Sequence, residues 1–129
     1  MSPTNILAVI VAMAAWLACS LPALAADSGE VAFNNHCRTC HSTKAGDNRL
    51  GPSLHNIHGA KAGAASGYAT YSQSLASSGI TWDDATLDKF IANPDQVVAN
   101  NNMKPYKGIG DEAVRKAIIA FLKSKSEGG

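Results

Sequence analysis

Cys37-Arg38-Thr39-Cys40-His41 sets two thiols three positions apart, with an imidazole directly behind the second. Three chemistries use such a pair: a zinc site, a reversible dithiol couple, and covalent attachment of haem. A closed zinc site takes four ligands, usually from two such pairs, and no second pair follows. His36, His55 and His58 do not stand at finger spacing. A thioredoxin-like couple needs a βαβ setting, whereas the flanks here are rich in Ala and Asn and carry no β-branched run. A plain disulfide has no use for His41. What remains is C-x-x-C-H as a haem-attachment motif. Each thiol forms one thioether to a vinyl group, a short helical turn aims both sulfurs at one macrocycle edge, and His41 becomes an iron ligand.

The second axial position then decides function. Met103, in "NNNMKPYKG", is the only methionine after the apolar N-terminal stretch. A methionine usually fills a core, but Asn, Lys, Pro and Gly build a loop and not an apolar face. A thioether on such a loop suits the sixth coordination site, where it closes the iron and raises its potential. His55 and His58 are the rival ligands and would give bis-histidine ligation. An open sixth site would instead point to a gas sensor or a peroxidase.

These groups need elements to hold them. The chain has 129 residues, which suits one domain. Its net charge of +1 offers nothing to nucleic acid. With only 6% aromatic residues the core is small and would gain from a large apolar cofactor. A first helix is expected over residues 28–40, with Ser28 as N-cap and Phe33 one turn before Cys37. The Gly-rich stretch from Ser42 to Gly67 reads as a long loop, acceptable in so small a domain if it wraps something. Residues 72–77 suggest a short helix. Residues 82–92 suggest another, with Thr81 as cap and Leu87, Phe90 and Ile91 inward. Asn93 and Pro94 read as the cap and first position of a single turn. Val114, Ala117, Ile118, Phe121 and Leu122 follow a helical period within 111–125. No strand is expected.

Residues 6–26 carry no charge, and Ala23-Leu24-Ala25 is a small-x-small cleavage signature. Residues 1–25 therefore read as a secretory signal peptide and 26–129 as the domain. Uncut, the same run is about long enough to anchor the protein to the outer face of the inner membrane.

Taken together these pieces resemble the class I c-type cytochromes over about residues 29–125. The resemblance rests on Gly29 and Phe33, "CRTCH", Gly51-Pro52, the run from Tyr71 to Trp82, "MKPYKG", and Ile118 with Phe121. It implies an all-α class I cytochrome c fold: three main helices, short turns and long loops around one haem c held by thioethers to Cys37 and Cys40. His41 and Met103 would be the axial ligands. Pro52 would accept a hydrogen bond from the His41 ring, and Tyr71 and Trp82 would donate to a haem propionate. Gly29 and Phe33 would cross the last helix at Ile118 and Phe121. Ala60 stands where many members carry an arginine that reaches the inner propionate.

The implied function is periplasmic one-electron transfer, not enzymatic turnover. A bc1-type complex or dehydrogenase would be the donor and an oxidase or reductase the acceptor. The carrier would be a monomer, and Lys44, Arg49, Lys61, Lys104 and Lys107 would form a basic docking face. A membrane-tethered haem subunit of an oxidase or dehydrogenase is the alternative.

Overall fold

The computed structural model describes the backbone of residues 21–127 and the side chains of residues 28–126. Most of the expected signal segment, residues 1–20, lies outside the described residues. Five helices follow in order: α1 Leu21–His36, α2 Gln73–Ala76, α3 Asp84–Ala92, α4 Pro94–Val97 and α5 Glu112–Glu127. Among the described residues there is no strand, only an isolated antiparallel bridge between Lys61 and Thr81.

Helix α1 differs from expectation at both ends. It runs through Ser28, which is therefore not its cap, because "LPALAAD" upstream contains good helix formers that let the ladder propagate. It stops at His36 and not at residue 40. There the Phe33 carbonyl accepts from both Cys37 N (2.8 Å) and Arg38 N (3.1 Å), and the chain turns. Helix α3 starts two residues later than expected, at Asp84, and is capped by Asp83 and not by Thr81. The Asp83 carboxylate accepts from Thr86 N at 2.8 Å, and Thr86 Oγ1 accepts in return from Asp83 N at 2.8 Å. Thr81 is occupied elsewhere, in the bridge to Lys61. Asn93 and Pro94 open α4 as the sequence suggests.

The core is built where α1 crosses α5 and where α3 packs on α5 and α4. Phe33 stacks at a tilt on Phe121, ring centroids 5.4 Å apart, and Trp82 on Phe90 at 5.0 Å. Ile118 and Leu122 are buried beside them, as their period predicts, and so is Ile119. Ile119 shares a groove with Asp84, Ala85 and Asp88 of α3, so two helices press on α5 and its apolar face is wider than one stripe.

The loop from Ser42 to Gly67 is not free. Trp82 N donates to Ala60 O at 2.8 Å and Ala62 N to Ile80 O at 2.8 Å, which pins the loop to the entrance of α3. Tyr68 Oη donates to Leu50 O at 2.9 Å across the loop itself.

The crossing of α1 and α5 depends on a missing methyl group. A Cβ on Gly29 would lie 2.5 Å from Ala117 O and 2.9 Å from Phe121 Cβ. Alanine would favour the helix by about 0.5–1 kcal/mol, but overlap with a backbone carbonyl forces the helices apart and costs about 1–3 kcal/mol. Gly29→Ala is expected to lower the melting temperature of the haem-loaded protein by ~5 °C or more. An unchanged melting temperature would show that the crossing is loose.

Asp83 gives a pH-dependent prediction. Hydrogen bonds from Thr86, backbone first and side chain second, hold its carboxyl below the ordinary value of 3.8. The cap's contribution is therefore complete above that value and fades as pH falls through the depressed one. Asp83→Ala should lower the melting temperature at pH 7, and the gap to wild type should close as the solution is acidified. A gap independent of pH would remove the carboxylate from the account.

Candidate haem site

After His36 the backbone makes one more turn. Cys40 N and His41 N both donate to Cys37 O, at 3.1 and 2.9 Å. That turn brings Cys37, Cys40 and His41 together at the end of α1. The thiols are half-buried and not joined to one another. Burial, with Cys40 adding to it, pushes the Cys37 thiol up to about 12. A dithiol built for exchange has a lowered thiol pKa and an exposed sulfur, and Cys37 has the reverse. Among the described residues no three His, Cys, Asp or Glu side chains gather as a metal cluster, so a zinc site lacks its remaining donors.

His41 is 7% exposed. Its Nδ1 lies 2.8 Å from Pro52 O. A carbonyl only accepts, so the proton sits on Nδ1 and Nε2 keeps a bare lone pair. Burial lowers the pKa of the ring, with the Pro52 bond acting the other way, and the ring is held neutral. A neutral imidazole with one nitrogen tied down and the other free is a metal ligand in waiting. Gly51 makes this contact possible. A Cβ there would meet His41 Cε1 at 2.4 Å. Gly51 N also donates to Cys40 O at 2.8 Å, so the loop is stitched to the motif on both sides of the ring.

Tyr71 and Trp82 carry donors that the described residues leave unused. Tyr71 Oη accepts from Ala65 N at 3.0 Å, and among the described residues its own proton has no acceptor. Trp82 is 5% exposed, and among the described residues its indole N–H has no acceptor either. Among the described residues no fully buried side-chain nitrogen or oxygen lacks a partner. The indole N–H therefore opens onto accessible surface. Two phenol or indole donors facing outward from a core fit an anionic ligand group such as a propionate. Ala60, hydrogen-bonded to Trp82 through the backbone, adds no cation to this pair.

Met103 is half-buried against the core cluster. Its loop comes close to the cysteines: burial, with neighbouring Cys37 adding to it, pushes the Tyr106 phenol up to about 12. Of the rival ligands, His58 is engaged, with Nε2 2.8 Å from Asp84 Oδ1. His55 lies with Asn48, Ser53 and Ser66 around a small open hollow.

Asn101 is a residue of this region that the sequence reading passed over. It is 4% exposed and donates to Asp95 Oδ1 and Val98 O, each at 2.9 Å, while accepting from Met103 N at 2.9 Å. Its neighbours Asn100 and Asn102 are exposed, and nothing in the run "NNN" separates the three.

Two unpaired thiols on one turn, an imidazole with a bare Nε2, two unspent donors and a thioether on the adjoining loop fit one covalently bound haem. Comparison with known proteins agrees. The family model described as cytochrome C oxidase, cbb3-type, subunit III matches residues 24–122. The chain is 44% identical over 88 residues to cytochrome c2 iso-2 of Magnetospirillum fulvum, covering 68% of this chain and 90% of that one. It is 36% identical over 123 residues to cytochrome c2 of Rhodomicrobium vannielii, covering 92% and 94%. Among solved structures, cytochrome cH from Methylobacterium extorquens superposes with a TM-score of 0.70 at 42% identity, over 77% of this chain and 97% of that one. The chain belongs to the class I c-type cytochromes: an all-α electron-transfer protein with one covalently attached haem c, and not an enzyme.

Proposed function

We propose that the protein is a periplasmic shuttle whose iron is held between His41 Nε2 and the Met103 thioether, with Cys37 and Cys40 as the covalent anchors. The observation that carries this reading is the His41–Pro52 bond, which frees one ring nitrogen and fixes the other. Haem c supplies a one-electron Fe(II)/Fe(III) couple when bound. The chain does the rest. His41 is clamped so that its orientation does not change with charge state. Tyr71 and Trp82 offer O–H and N–H dipoles, in that order, to propionate oxygen. Phe33, Trp82 and Phe90 keep water from that side of the fold.

Residues 1–25 act in this reading as a signal that exports the chain. Among the described residues Lys44, Lys61 and Lys107 have no ion-pair partner, whereas Arg49 is paired with Asp47 and Lys104 with Asp95. The docking face is thus carried by fewer cations than its five basic residues suggest. It suits acidic patches on a bc1-type complex or dehydrogenase as donor and on an oxidase or reductase as acceptor.

A second reading is a tethered subunit of an oxidase. The uncharged run 6–26 and the oxidase subunit that the matching family model describes favour it. Among the described residues no helix is long and apolar enough to cross a membrane. The mass of the mature protein separates the two readings, since a shuttle lacks residues 1–25 and a tethered subunit keeps them.

The ligand assignment is tested by the optical spectrum of the haem-loaded protein with and without carbon monoxide. A low-spin reduced form indifferent to carbon monoxide, with the weak Met–iron band in the oxidised form, is the expected result. Ready binding of carbon monoxide would open the sixth site and replace the shuttle by a sensor or peroxidase.

Gly51→Ala tests the role of Pro52. The new methyl group displaces the His41 ring and weakens its bond to the Pro52 carbonyl, which makes the imidazole a poorer donor to ferric iron. The reduction potential should rise and the fold should lose about 1–3 kcal/mol. Voltammetry showing an unchanged or lower potential would contradict this role.

A further inference from the structure

We propose that Asn101 is a positioning residue for the sixth ligand: its buried carboxamide ties the Met103 backbone to α4, and this tie sets how firmly the thioether closes the distal side of the iron. The inference rests on the assignment of Met103 as a ligand and goes beyond it.

The carboxamide has two N–H donors and one carbonyl oxygen, and each has a partner within the protein. One N–H goes to Asp95 Oδ1 on α4 and the other to Val98 O at the end of α4. The oxygen takes the Met103 N–H. One buried group therefore connects a position six residues back, one three residues back and one two residues ahead. Asp95 is held in turn by Lys104, directly after Met103, so the tie closes on both sides of the methionine. Asn102 pins the same segment to the opposite loop by donating to Thr70 O at 3.1 Å.

Among the described residues the Met103 N–H has no other hydrogen-bond partner. The residue lies in no helix, its side chain is only half-buried, and a thioether has three rotatable bonds. A flexible side chain on a free backbone would yield the iron to an external ligand. A backbone held by a satisfied, buried amide does not, because breaking the tie leaves polar groups buried without partners. Asn101 touches neither iron nor haem in this account and acts through Met103 alone.

The test uses haem-loaded wild type, Asn101→Ala and Asn101→Ser. Alanine removes all three bonds, whereas serine keeps an oxygen able to accept the amide two residues on. Asn101→Ala is expected to weaken the Met–iron band, to bind carbon monoxide about tenfold more tightly in the ferrous state, and to exchange the Met103 amide hydrogen about tenfold faster. Asn101→Ser should recover part of each. A Met–iron band and carbon monoxide resistance that Asn101→Ala leaves untouched overturn the inference. If the alanine variant does not fold, the Met103 amide of wild type decides: protected exchange supports the tie, and exchange at the rate of an open loop overturns it. A wild-type protein with no Met–iron band overturns the assignment of Met103 itself, and the role of Asn101 with it. The two failures are thus told apart by the wild-type spectrum.

Discussion

His41 has two ring nitrogens, and only one of them can bind a metal while the other is held. The bond from Nδ1–H to the Pro52 carbonyl makes that choice. Much of the surrounding loop is arranged to keep it. Gly51 leaves room for the ring, its own N–H returns to Cys40 O, and Leu54 N reaches back to Ser42 O at 2.8 Å. Ser53 adds a bond from its hydroxyl to Lys44 O at 2.6 Å. A segment with few large apolar residues, of which Leu54 and Ile57 reach the core, is thus ordered largely by hydrogen bonds around one imidazole.

The two sides of the site are supported by different physics. The proximal side is an extension of α1 and inherits its rigidity from the packing of Phe33 on Phe121. The distal side proposed at Met103 has, among the described residues, no helix continuous with it. It is held by the amide of Asn101, the ion pair of Lys104 with Asp95, and the bond from Asn102 to Thr70. The last two are exposed polar ties, individually weak and more readily opened than a packed helix crossing, so the buried Asn101 amide alone lends the loop firmness. The distal loop is therefore the softer half of the site.

The motif and the apolar period of α5 were legible because each is written in adjacent or helically spaced residues. So was the Asn93-Pro94 cap, whose two residues have matched preferences. The start of α3 was not. Thr81 and Asp83 are both good caps, and the choice between them is made by the pairing of Thr81 with Lys61, twenty residues earlier in sequence. The extent of α1 was misread because Ser28 looks like a cap, while the helix formers before it favour continuation. Asn101 was hidden for another reason: three consecutive asparagines have the same local preferences, and only burial distinguishes the middle one. The pairing of His58 with Asp84, 26 residues later, was equally beyond the reach of local sequence.

The crossing of Gly29 and Phe33 with Ala117 and Phe121 joins the two ends of the domain. No shorter length of chain contains it. While the polypeptide is being made, everything up to α4 can exist without the helix against which α1 packs, and the entropy of closing so long a loop is met only when α5 arrives. A nascent chain of this protein accordingly cannot form the α1–α5 crossing before α5 has been synthesised.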